Sequence, residues 1–131
     1  MTASQKSEQL EDRLIEFAIR IVRMLQHLPK DFIGAHFGKQ VLRSGSAPAL
    51  IYGEMRSAES DADFRHKASL IQKELRETFN NLRIVRGLNL TPVEKMNPIV
   101  GESEELLKIF VAIVKSVDER ITRNGGKKGK K

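Results

Sequence analysis

Apolar residues recur every three or four positions through four long stretches of this chain, a spacing that fits α-helices packed side by side and no strand arrangement. The first stretch, Glu8 to Leu28, carries Leu10, Leu14, Phe17, Ile21, Leu25 and Leu28 on one stripe. Ile15, Ala18, Ile19, Val22 and Met24 widen that stripe around most of the circumference. A helix apolar over so wide an arc buries more than one face, so one face is expected to meet a neighbouring subunit. Pro29 ends the helix, and Asp31 is placed to cap the next one.

The second helix is expected from Ala35 or Lys39 to Arg56. Its middle, Ser44-Gly45-Ser46-Ala47-Pro48-Ala49, is almost wholly small residues. Small side chains let a neighbouring backbone approach closely, which predicts a helix packed at the centre of the others and bent at Pro48. An interior proline costs about 3 kcal/mol in an isolated helix, so packing must offset it.

Ser60 and Asp63 open the third helix as cap and first-turn acid. Phe64, Ala68, Ile71, Leu75, Thr78, Leu82 and Val85 form its stripe, and Gly87 reads as a left-handed stop. Thr91-Pro92-Val93-Glu94 has the layout of a capping box with a first-position proline. The fourth helix then runs to Ile121, with a kink or short break expected near Asn97 because of Pro98 and Gly101, and an end at Asn124-Gly125-Gly126. Leu106 to Val117 is again broadly apolar. The fold predicted is an all-α, antiparallel up-and-down four-helix bundle with a proline-kinked second helix. Residues 1–7 are expected to fray, 8–122 to form the bundle, and 123–131 to be a flexible basic tail.

With 131 residues and no cysteine, the chain makes one domain with neither disulfides nor thiolate metal ligands. No apolar run approaches the ~18 residues of a membrane span, and MTASQKSEQLEDR lacks a signal-peptide layout. A cytoplasmic protein with no membrane association is expected. The net charge of +6 is unevenly placed. Residues 1–119 hold 17 Lys and Arg against 17 Asp and Glu, so the whole excess falls in the last twelve residues, from Arg120 and Arg123 to Lys127, Lys128, Lys130 and Lys131.

Gln40-Val41-Leu42-Arg43-Ser44-Gly45-Ser46-Ala47-Pro48-Ala49-Leu50-Ile51-Tyr52-Gly53-Glu54, followed by Glu59 to Lys67 and Lys73 to Thr78, resembles the bacterial four-helix-bundle family encoded in intervening sequences of large-subunit ribosomal RNA genes. The accessory variability protein of diversity-generating retroelements has a similar fold. The resemblance covers roughly residues 10 to 122 and implies a homopentameric bundle, with RNA or DNA as a partner of some relatives. It places Arg43, Ser44, Pro48, Tyr52, Glu54 and Glu77 in structural or interface roles. Where the family carries an asparagine, this chain has Leu50 or Ile51, and its body is neutral where nucleic-acid-binding relatives are basic.

No catalytic residue, cofactor or metal is expected. His27, His36 and His66 stand at no metal-ligand spacing. Glu74-x-x-Glu77 could share a divalent metal in a nucleotide hydrolase only if a second acidic pair faced it, Glu59 with Asp63 or Glu102 with Glu105 being the candidates. Arg43 and Glu54 could each meet a charge on the third helix or on an adjacent subunit, for instance Arg43 with Glu74 or Glu77, as an ion pair that fixes register. Arg13, Arg20 and Arg23 on the first helix, and Arg76, Arg83 and Arg86 on the third, recur at helical spacing and could form basic edges that meet phosphates. Lys127, Lys128, Lys130 and Lys131 would add non-specific phosphate affinity. Three functions remain from these observations: a non-enzymatic homo-oligomeric scaffold that binds RNA or DNA, a protein–protein adaptor favoured by the neutral body, and the metal-dependent hydrolase.

Overall fold

The structure, a computed structural model, describes the backbone of residues 1–129 and the side chains of residues 1–125. Lys130 and Lys131, and the side chains of Lys127 and Lys128, lie outside the described residues. Four helices follow in order: α1 (Ala3–Leu25), α2 (Phe32–Arg56), α3 (Asp61–Gly87) and α4 (Val93–Gly129). They form an all-α four-helix bundle, and among the described residues there is no strand. None of the helices is long and apolar enough to cross a membrane.

The helix ends follow local chemistry. Thr2 and Gln5 form a reciprocal capping box, with the Thr2 hydroxyl accepting from the Gln5 N–H at 3.1 Å and the Thr2 N–H donating to the Gln5 side chain at 2.8 Å. Helix α1 therefore starts at Ala3, not near Glu8. Asp31 caps α2 by accepting from the Gly34 N–H at 2.8 Å, and Ser60 caps α3 by accepting from the Asp63 N–H at 3.0 Å. A Cβ at Gly34 would lie 1.9 Å from the Pro29 carbonyl oxygen, so only glycine permits so tight an entry into α2.

Three expectations about helix ends are corrected. Gly87 stays helical, and the left-handed residue is Asn89, φ 53°. The Leu90 N–H bonds back to the Val85 carbonyl and the Asn89 N–H to the Arg86 carbonyl, the two bonds of a Schellman stop. No hydrogen bond joins Thr91 to Glu94. Helix α4 begins instead at Val93, with the Pro92 carbonyl accepting from the Lys95 and Met96 N–H groups. Helix α4 also runs unbroken through Pro98, which removes one bond, to the carbonyl of Glu94, an exposed residue. The same helix passes through Asn124-Gly125-Gly126.

Helix α2 packs between α1 and α3, and α3 packs between α2 and α4, while α1 touches α4 only lightly. The small-residue helix is thus not central, because a four-helix ring has no axial position. Its small residues serve its two flanks. On one side, the Ser44 hydroxyl is hydrogen-bonded to that of Thr78 at 2.8 Å, both side chains fully buried. On the other, a Cβ added at Gly45 would stand 2.9 Å from Ile21. Pro48 is buried within an unbroken helix. The core is filled by Phe17, Ile21, Val41, Ile71, Leu75, Leu82, Met96, Leu106 and Phe110, all essentially inaccessible. Tyr52 is also core, edge-on to Phe110 with ring centres 5.9 Å apart, and its hydroxyl lies 3.0 Å from that of Ser7. That placement gives it a structural role in the core.

The wide apolar arc of α1 is only half used. Ile15, Ile19 and Val22 remain 44, 40 and 43% exposed along one line, whereas Ile109 and Ile113 of α4 are half-buried against the core. Helix α1 therefore keeps an exposed apolar line, and α2 leaves Phe32, Ile33, Leu42 and Leu50 exposed as well.

Candidate nucleic-acid interface

Arginines occupy two distinct environments in this bundle. In the first, one guanidinium on one helix reaches across to two carboxylates spaced i, i+3 on the next. Arg43 of α2 donates to Glu74 at 2.7 Å and to Glu77 at 2.5 Å on α3. Arg13 of α1 donates twice to Glu102, at 2.8 and 2.7 Å, and once to Glu105 at 2.7 Å on α4. The hydrogen bonds from Arg43 hold the Glu77 carboxyl below its ordinary range, and those from Arg13 do the same for Glu102 against the opposing effect of burial. Both arginines are correspondingly raised.

Further pairs knit the same zone: Arg56 to Glu11, Lys67 to Glu54, Arg65 to Asp118 and Arg120 to Asp61. Arg65 depresses the Asp118 carboxyl through its hydrogen bond. Arg120, counted with the basic terminus from sequence, is neutralised by Asp61 and lies over the Phe64 ring. Glu54 is exposed and pairs with Lys67 at 3.2 Å.

The second environment is one end of the bundle. An up-and-down course brings the α1–α2 and α3–α4 connections to the same end. Residues 19–40 and 80–100, which flank those connections, hold seven Lys and Arg against only Asp31 and Glu94. The rest of residues 1–119 therefore holds ten cations and fifteen acids. The neutral body is charge-separated, basic at one end and acidic elsewhere. Among the described residues, every Lys or Arg in an ion pair lies outside the basic segments.

Of the arginines picked out by helical spacing, the fold gathers Arg20 and Arg23 of α1 with Arg83 and Arg86 of α3 at this end. Arg83 lies over the Phe79 ring at 5.1 Å, and Arg86 donates to the Asn97 side chain at 3.1 Å. Arg13 is not part of the group, since its guanidinium is spent on Glu102 and Glu105. Arg76 is exposed on α3 towards the middle of the bundle. Lys30, Lys39 and Lys95 join the end although no single-helix pattern singled them out. They become visible only when charges are counted around the two connections together. Lys127, Lys128, Lys130 and Lys131 are not described.

No protein-family model matches the chain, and no curated protein matches it. Among solved structures, it is similar to a protein of unknown function from the S23 ribosomal protein family of Bacteroides thetaiotaomicron. The two share 32% identity with a TM-score of 0.74, over 81% of this chain and 98% of the other.

Proposed function

The chain belongs to the S23 ribosomal protein family, and from that premise we propose that it is a non-enzymatic, homo-oligomeric scaffold that binds RNA or DNA through the basic end of its bundle. The observation that carries this reading is the concentration of cations without carboxylate partners around the two connections. Clustered charge left unpaired raises local potential and attracts a polyanion, whereas the paired charges elsewhere cancel.

Oligomerisation is supported by the Ile15, Ile19 and Val22 line, which a second copy would cover. The likeness of Gln40–Glu54 to proteins of ribosomal RNA intervening sequences favours a pentamer and favours RNA as the natural strand. The hydrolase reading is set aside because Arg43 takes both carboxylates of the Glu74–Glu77 pair, and Arg13 takes both of Glu102–Glu105.

Fluorescence anisotropy of a 20-nucleotide single-stranded RNA across a salt series tests the proposal. Affinity is expected to fall steeply with salt, and R20Q/R23Q/R83Q/R86Q is expected to flatten the slope. No binding at low salt overturns it and leaves the adaptor reading. Light scattering of the intact protein and of I19E tests assembly, with a monomeric intact protein as the overturning result.

A further inference from the structure

At the basic end, a cleft of about 210 Å³ opens between α1 and the start of α4. Arg20, Arg23 and His27 line it from the α1 side, and Thr91 and Lys95 from the α4 side. Its floor is Met24 and Ile99, both buried. No carboxylate is among the lining residues. Glu102, on which the Arg20 charge acts, has its two oxygens already held by Arg13, and Glu16 and Glu94, near Arg20 and Lys95 in sequence, do not line the cleft.

We infer that this cleft seats the terminal phosphate of a nucleic-acid strand. The inference rests on the nucleic-acid reading above and assigns it a discrete subsite. Size is compatible with the group, since the volume corresponds to about seven waters at roughly 30 Å³ each, room for one phosphate and its solvent. Charge selects the ester. Three permanent cations face the cleft, and a backbone diester offers one negative charge where a terminal monoester offers nearly two. Guanidinium forks supply paired, directional donors, and the lysine adds a point charge. The apolar floor keeps water from one side and strengthens each attraction. The cleft lies at the amino-terminal end of α4, so the helix dipole adds the same sign.

The test compares single-stranded 12-mers ending in 5′-phosphate, 3′-phosphate or hydroxyl groups, bound to the full chain and followed by anisotropy. Orthophosphate is titrated in parallel while the Met24 and Ile99 methyl resonances are observed. A strand bearing a terminal phosphate is expected to bind about tenfold more tightly than the hydroxyl-ended strand, and the two phosphorylated arms identify which end is read. R20Q/K95Q is expected to weaken every strand and, in addition, to bring phosphorylated and hydroxyl-ended strands to equal affinity. R83Q/R86Q, outside the cleft, is expected to weaken all strands alike and keep the preference. Thermal melts confirm that each variant is folded. Salt-sensitive binding with no preference for phosphorylated ends overturns the subsite and leaves the proposed function standing. A preference abolished equally by R83Q/R86Q also overturns it. Binding of no strand at all, even with orthophosphate shifts at Met24 and Ile99, overturns the proposed function and the strand-end assignment together.

Discussion

The middle of the bundle and its basic end use the same side chains to opposite effect. In the middle, Arg13 and Arg43 each close on a pair of acids from the neighbouring helix, so their charge is consumed in fixing one helix against another. At the end, Arg20, Arg23, Arg83 and Arg86 have no carboxylate partner, and their mutual repulsion works against the fold. A chain whose body sums to zero can therefore hold one region where charge supports structure and another where charge faces outward. Net charge sees neither.

If that division holds, removing charge at the end should alter binding and spare stability, and changing the middle should do the reverse. The largest effect is expected for R20Q/R23Q/R83Q/R86Q. RNA affinity at low salt should drop about a hundredfold or more, with a melting temperature close to the parent's, because relief of repulsion offsets the lost Arg86–Asn97 hydrogen bond and Arg83–Phe79 contact. A large drop in melting temperature would erase the distinction between the regions.

Gly45→Val follows. Its Cβ would meet Ile21 at under 3 Å, and overpacking of that kind costs about 2 kcal/mol. Denaturant unfolding measures it, and the folded fraction should bind RNA as before. Arg13→Gln should cost about 1 kcal/mol, since the pair is partly exposed and partly screened. This variant also sharpens the pH behaviour. Glu102 and Glu77 have carboxyls depressed in the folded state, so their contribution is present above the unfolded value of about 4.3 and lost as pH falls through the lower folded values. The parent melting temperature should hold from neutrality to about pH 5 and then fall, and Arg13→Gln should blunt that fall. The smallest effect is expected for Ser60→Ala, about 0.5 to 1 kcal/mol from a lost cap at the opposite end, with RNA binding unchanged.

Much of the fold was legible because helical periodicity and capping chemistry are local. The four apolar stripes, the Asp31 and Ser60 caps and the pairing of Arg43 with Glu74 and Glu77 can be read without coordinates. The Thr2-x-x-Gln5 box was equally readable but is easily missed in a polar N-terminus. Other features are set by packing between distant segments. The place of Tyr52 in the core shows only when its ring is set on Phe110, and Gly87 looks like the stop until Asn89 takes the left-handed turn. The basic end was illegible for the same reason. Its cations come from four helices and the α1–α2 connection, and along the chain each group is diluted by acids that fold elsewhere.

Helix α1 leans on α2 and barely meets α4, so the molecule resembles a book left ajar along one edge more than a closed ring. Apart from the Arg13 bonds to Glu102 and Glu105, little holds that edge, and thermal breathing is expected there first. Amide protons in α1 are expected to exchange with solvent sooner than those in α3, which has a neighbour on either hand. A ligand that wedges between the two covers, or a second molecule that clasps the outer face of α1, would quieten that motion without changing the shape of the rest.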